Sequence, residues 1–214
     1  MDQDEKTAER RTNAREALLN AAFSVIRKNG YSATSVDELC RAAGVTKGAF
    51  FHHFKTKDDL AVAAADHWST VTGALFAGAP YHEHEDPLDR FLGYIDFRRM
   101  LLQGAVPEFT CLVGTMVQEA YDAHHDIRDA CRDSIVGHAG KLVPDIAEAM
   151  ERYGVECGWT AESLALHTQA VLQGAFILAK ATDGPGRAVE SVDHLRRYVE
   201  LLFGRHGNTS KLAT

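Results

Sequence analysis

The sequence has only 4 cysteines and 5 prolines among its 214 residues. Cys40, Cys111, Cys131 and Cys157 stand singly, with no C-x-x-C pair, so neither a disulfide framework nor a cysteine zinc cluster is written into it. No apolar run approaches the roughly 18 residues a membrane helix needs, and the opening MDQDEK is acidic, unlike a secretory leader. A glycine-rich phosphate loop, a nucleophile elbow and an H-E-x-x-H pair are all missing, which leaves catalysis nothing to use. Positive charge is in deficit, at a net -7 from 23 Lys and Arg against 30 Asp and Glu, and that average disfavours a polyanionic partner. These absences describe a cytoplasmic protein with reduced thiols, no membrane partner, no enzymatic activity and no cofactor.

The charge is unevenly spread. Residues 6 to 57 hold ten bases (Lys6, Arg10, Arg11, Arg15, Arg27, Lys28, Arg41, Lys47, Lys55, Lys57) and four acids (Glu9, Glu16, Asp37, Glu38), so this stretch stands at +6 and the remainder at -13. Such a split suggests a basic module that meets a polyanion, carried on an acidic body. A basic face that is merely solvated is the plainer alternative.

Apolar residues recur at helical spacing nearly everywhere, with Pro and Gly mostly between the runs, and the pattern predicts an all-α protein of about nine helices. The first runs from about Arg10 to Asn29, with Leu18, Ala22, Val25 and Ile26 on one face and Gly30 at its end. Ser35 and Glu38 have capping-box spacing for a second, which stops at Gly44. Thr46 caps a third that buries Phe50 and Phe54, and Thr56 with Asp59 caps a long fourth. Pro87 opens a fifth and a sixth covers about Thr110 to Tyr121. A long pattern from Ile127 to Tyr153 carries an expected kink or break at Gly137, Gly140 and Pro144. Two more follow, one opened by Thr160 and Glu162, the last with Val192, Leu195, Val199 and Leu202 in a seam.

Two short helices joined by Ala43-Gly44-Val45-Thr46 form a helix-turn-helix pattern, whose second helix enters a DNA major groove. Gly48 and Ala49 let that helix come close to base edges, where Ala49 suits a thymine methyl and Lys47 a guanine. Residues 15 to 60 resemble the N-terminal module of TetR-type transcriptional regulators over their whole length. The resemblance rests on Thr34, Ser35, Val36, Leu39, Ala43, Gly44, Val45, Thr46, Gly48, Phe50, Phe51, His53, Phe54 and Lys57. It implies a homodimer that reads a palindromic double-stranded operator and holds a small-molecule effector in its C-terminal body. Carried over by position, Thr46, Lys47, Gly48 and Ala49 face bases, while Ser35, Phe51, His52, His53 and Lys57 lie at phosphates and sugars. Phe51 stands where the family usually has Tyr, which removes a hydroxyl contact to phosphate.

The implied organisation is an N-terminal three-helix DNA-binding domain over 1–57, an effector-binding and dimerisation domain over 58–207, and a disordered tail over 208–214. Trp68, Phe91, Tyr94, Phe97, Met100, Cys111, Met116 and Phe176 are candidate effector-lining residues, with ordinary core packing as the alternative for each. Ala170, Gly174 and Leu178, together with the Val192, Leu195, Val199 and Leu202 seam, are the expected dimer interface. The segment Phe109-Thr-Cys-Leu-Val-Gly114 with Gln118-Glu119 resembles the G-C-L-x-G subgroup, which includes repressors that respond to electrophiles and to hydrophobic cations. Thr110 and Thr115 depart from that pattern. Cys111 is accordingly the thiol to test as an electrophile sensor. His82 and His84, and His124 and His125, lack the spacing of two ligands on one helix face, so no metal site is expected.

The functional expectation is therefore a ligand-responsive repressor released from a palindromic operator by a small apolar effector. A thiol-based electrophile or redox sensor using Cys111 is the alternative. From other classes, an effector-independent architectural DNA binder and a small helical enzyme remain.

Overall fold

A computed structural model describes residues 3–156 and 158–205, the first eleven of these by backbone alone. The side chains of Lys6, Arg10 and Arg11, Cys157, and the expected tail at 208–214 lie outside the described residues. All regular structure among the described residues is helical. The helices are α1 (Gln3–Asn29), α2 (Val36–Ala43), α3 (Lys47–His53), α4 (Lys57–Ala77), α5 (Pro87–Met100), α6 (Val106–Phe109), α7 (Leu112–Ala120), α8 (His125–Gly140), α9 (Val143–Arg152), α10 (Ala161–Ala181) and α11 (Gly186–Leu202). A 3-10 turn at Pro80–Glu83 precedes α5.

Two of these exceed the expected nine. The long pattern from Ile127 to Tyr153 is two helices, because Pro144 lies in the first turn of α9, where a missing N–H costs nothing, and could not continue α8. The single turn α6 is too short to leave a periodic signature.

By packing, the chain forms two compact units. Among the described residues, one contains those up to Leu75 together with Thr110–Ile135; the other contains Phe76–Phe109 and those from Val136 onward. Helices α4 and α8 each begin in the first unit and finish in the second.

In the first unit, Leu18, Ala22, Val25 and Ile26 of α1 face inward as their spacing demands, meeting Leu39 of α2, Phe50 of α3, Leu60 of α4 and Met116 of α7 in one apolar cluster. Burying each such large side chain stabilises by about 1.5–3 kcal/mol. Thr56 and Asp59 cap α4 reciprocally: the Thr56 N–H donates to Asp59 Oδ2 at 3.0 Å and the Asp59 N–H to Thr56 Oγ1 at 3.0 Å.

In the second unit, Leu88, Phe91, Tyr94 and Ile95 of α5 pack in a core with residues of α9, α10 and α11. Asp86 caps α5 by accepting the Leu88 N–H at 2.8 Å and also accepts from the Tyr153 hydroxyl at 2.8 Å. Arg90 pairs with Asp145 at 2.7 Å, joining α5 to α9.

The seam expected to face a second subunit is placed otherwise. Val192, Leu195 and Val199 are buried inside this chain, at 0%, 2% and 0% exposure, because the apolar stripe of α11 is turned onto α5 and α10. Leu202 and Gly174 are half-buried, while Ala170 and Leu178 are exposed. The large apolar side chains left outside on these two helices are Leu166, Ile177 and Leu178 of α10 and Tyr198 and Leu201 of α11.

Candidate nucleic-acid interface

Local chemistry sets the geometry of α2 and α3. Ser35, in extended backbone, accepts the Glu38 N–H at 3.2 Å and starts α2. The reciprocal half of the expected box is not made, since the Glu38 carboxylate accepts instead from the Asn29 side-chain amide at 2.7 Å. Gly44, at φ 66°, ends the helix in the left-handed conformation that glycine adopts without strain. Two residues later Thr46 Oγ1 accepts the Ala49 N–H at 3.1 Å and α3 begins.

Phe50 and Phe54, four residues apart, are both buried, and this fixes the roll of α3. Thr46, Lys47, Gly48, Phe51 and His52 consequently face outward, with Ala49 and His53 half-buried. Phe51 is 55% exposed, its ring edge-on to Phe50 at 5.2 Å. A Cβ on Gly48 would touch only Thr46 Oγ1, at 3.7 Å, so the helix start offers an open surface to a partner.

Two lysines of the candidate interface are already engaged. Lys47 Nζ lies 2.6 Å from Asp37 Oδ1 on α2, both side chains more than half exposed. Lys57 Nζ donates to the carbonyls of Tyr31 and Thr34, at 3.0 and 3.1 Å, and sits 4.2 Å over the Tyr31 ring. Expected at a phosphate, Lys57 thus spends two of its three donors on its own backbone.

Those contacts belong to a cluster that periodicity did not reveal. Gly30, at φ +87°, turns the chain after α1, and Glu119 at the end of α7 accepts the backbone N–H groups of Tyr31 and Ser32, at 3.2 and 2.7 Å. The Tyr31 hydroxyl donates to Asp58, whose other oxygen pairs with His124 Nδ1 at 2.7 Å. Burial pushes the Asp58 carboxyl up, but the hydrogen bonds from Tyr31 and His124 and the His124 and Lys57 charges together hold it below the usual carboxylate range. Burial, followed by the Asp58 hydrogen bond and charge, raises the Tyr31 hydroxyl. Gly30, Tyr31, Ser32, Lys57 and Asp58 lie in the TetR-like stretch and Glu119 in the G-C-L-x-G-like one, but no spacing in the sequence joins them.

The family model described as bacterial regulatory proteins of the tetR family matches residues 18–64, the stretch that forms this capped helix-turn-helix. Residues 18–64 are thus similar to the N-terminal module of TetR-family regulators. The transcriptional regulator AcuR of Cereibacter sphaeroides is 32% identical to this chain over 120 residues, which cover 55% of this chain and 53% of AcuR. The chain thus spans about half the length of that curated relative. Among solved structures, a TetR-family regulator from Agrobacterium tumefaciens superposes with a TM-score of 0.77 at 18% identity, covering 88% of this chain and 98% of that one. FadR of Bacillus subtilis in complex with stearoyl-CoA superposes with a TM-score of 0.70 at 17% identity, covering 89% and 98%. At these identities the structures share the fold.

The candidate effector residues divide between the two units. Met116 is core in the first unit, and Trp68 there stacks edge-on to Phe23 at 5.1 Å under the Arg27 guanidinium. Cys111 is the N-cap of α7, its Sγ accepting the Gly114 N–H at 3.4 Å. Cys40 and Cys131 are buried; burial raises both thiols, and burial with the neighbouring Cys111 puts Cys131 at about 12.

Tyr94, Phe97 and Phe176 belong to the second unit together with Phe91, which is core, and Met100, which is exposed at the end of α5. Tyr94 carries a polar chain there: its hydroxyl accepts from the Gln169 side-chain amide at 3.0 Å and shares a hydrogen bond with His138 Nε2 at 2.9 Å. Phe76 lies against this chain, 5.6 Å from the Tyr94 ring and 4.8 Å from His138. Burial first, then the Arg98 and Lys141 charges, push His138 down to about 3, so the imidazole is neutral.

His82 Nε2 bonds the Phe76 carbonyl at 3.0 Å, and among the described residues no three His, Cys, Asp or Glu side chains gather as metal ligands. No helix among them is long and apolar enough to cross a membrane.

Proposed function

We propose that this chain is a homodimeric transcriptional regulator, most simply a repressor, that binds a palindromic DNA operator and is released by a small effector. The observation that carries the proposal is the rigidly rolled α3, whose outward face offers Thr46, Lys47, Gly48, Ala49 and Phe51 with Gly48 leaving room for a base edge. In this reading residues 1–57 read DNA, and 58–207 bind effector and partner through the exposed apolar residues of α10 and α11. Paired α3 helices must sit about 34–36 Å apart to enter successive major grooves. An effector that binds better to a body conformation with another spacing shifts the population off the operator. The stearoyl-CoA bound to the structurally similar FadR supports an effector with a large apolar part.

The test is a gel shift with the DNA immediately upstream of the chain's own gene against unrelated duplex at the same salt. Selective binding is expected, weakened about tenfold or more by Lys47→Ala, with a Kd that rises steeply with salt. Equal affinity for both duplexes would turn the reading to an architectural DNA binder.

Cys111 supports a second reading, release by an electrophile, because its sulfur is only half-buried and sits at the amino end of α7, where it accepts the Gly114 N–H. Electrophile treatment is then expected to release DNA from the wild type and not from Cys111→Ser.

A further inference from the structure

The cluster in the second unit contains a cation that no carboxylate among the described residues reaches within ion-pair distance. This is Arg98 of α5, half-buried, its guanidinium carbon 5.1 Å from the centroid of the Phe76 ring and 5.6 Å from that of Phe176. The other half-buried arginines of this unit are paired: Arg90 with Asp145, Arg196 with Asp96, and Arg205 with Asp89. In a chain with 30 acidic residues, a guanidinium held on two aromatic rings without such a pair is a local exception.

The surroundings restrict what can complete it. Two rings hold the guanidinium plane, and its donors in their fixed fork match the two oxygens of a carboxylate. His138, resting on the same Phe76 ring, is neutral and adds no repulsion to an incoming anion. A cationic effector of the kind the G-C-L-x-G resemblance suggests would meet like charge here. Phe76 and Phe176, both buried, give the guanidinium an apolar setting, which favours an organic acid over an inorganic anion.

We propose that Arg98 is the anchor of the effector site and that the effector is an organic carboxylate with an apolar body, seated with its carboxylate on Arg98. The proposal rests on the regulator reading and names the ligand class that reading leaves open.

The test measures ligand binding without DNA, by thermal shift and calorimetry on the full chain. A panel of straight-chain acids from butanoate to palmitate, with benzoate and phenylacetate, is compared with the matched primary amides and with inorganic phosphate. At least one acid is expected to bind about tenfold or more tightly than its amide, since a charge-assisted bidentate pair is lost with the carboxylate. Arg98→Gln is expected to abolish that preference and Arg98→Lys to restore part of it. The proposal is overturned if no acid in the panel binds better than its amide, if phosphate does as well as the acids, or if Arg98→Gln retains the acid preference. Should Arg98→Gln fail to fold, the acid and amide comparison on the wild type and on Arg98→Lys decides the matter. Gel shifts on the same preparations separate the two readings: acid binding without operator binding sinks the regulator and keeps the site, and operator binding without acid preference does the reverse.

Discussion

Lowering the pH from about 7.5 to about 5 should weaken the second unit through one imidazole, His138. In the folded chain its pKa is pushed from the ordinary 6.5 down to about 3, by burial first and then by the charges of Arg98 and Lys141. The unfolded chain takes up a proton as the pH drops through 6.5, while the folded chain stays unprotonated until about 3. A depressed pKa of this kind gives a contribution that is complete above 6.5 and is lost progressively as the pH falls towards 3. At pH 5 the unfolded imidazole is about 1.5 pH units below its midpoint, and at about 1.36 kcal/mol per unit the loss is about 2 kcal/mol. His138→Gln offers Tyr94 a neutral amide in place of the ring and carries no such titration. Urea unfolding of both proteins at the two pH values and one protomer concentration measures the effect, because every shared titration cancels in the comparison. The stability gap between wild type and variant is expected to shrink by about 2 kcal/mol between the two pH values. A gap that stays constant to within about 0.5 kcal/mol would refute the neutral, desolvated imidazole.

Three further outcomes follow from the first unit. Gly30→Ala places a Cβ at φ +87° and against the Glu119 carboxylate that accepts from Tyr31 and Ser32; thermal or urea unfolding should show a loss of about 1–2 kcal/mol or more. Asp37→Asn frees Lys47 from an exposed ion pair, so stability should change by less than about 1 kcal/mol. DNA affinity in a gel shift should meanwhile rise severalfold at low salt, and the gain should fade as salt is added. Asp58→Asn removes the charged acceptor of Tyr31 and His124 and should destabilise at neutral pH by about 1–3 kcal/mol. Because the folded Asp58 carboxyl is held below its ordinary range, its contribution is present above pH about 4 and lost as the pH falls through the lowered value. The Asp58→Asn difference should therefore close in acid urea melts.

Helix boundaries were legible where the determinant is local. Ser35, Thr46, the Thr56–Asp59 pair and Thr160 each bond a backbone group within three residues, so a short stretch of sequence contains the whole interaction. The roll of α3 was legible for the same reason, from Phe50 and Phe54. The α11 seam shows where this stops: a stripe of Val192, Leu195 and Val199 states that one face is buried, and its spacing does not say whether the cover comes from the same chain. The polar chain of Tyr94, His138 and Gln169 is assembled from α5, α8 and α10, and Glu119 meets Tyr31 across 88 residues. No periodicity carries such pairings, and nothing local to Lys57 in the sequence places the carbonyls of Tyr31 and Thr34 around its ammonium.

The Tyr31 turn bears on how such a module can be moved between proteins. Its anchors, Glu119 and His124, lie more than sixty residues beyond Lys57, in a segment that packs with the first unit. A chimera that joins residues 1–57 to another body leaves the Tyr31 and Ser32 N–H groups without Glu119 and the Tyr31 hydroxyl without Asp58. A graft that carries residues up to 75 together with 110–135 keeps all of these partners. The transferable piece is therefore discontinuous, and inheritance of a new DNA specificity by recombination at one junction would come at the expense of the turn that leads into α2.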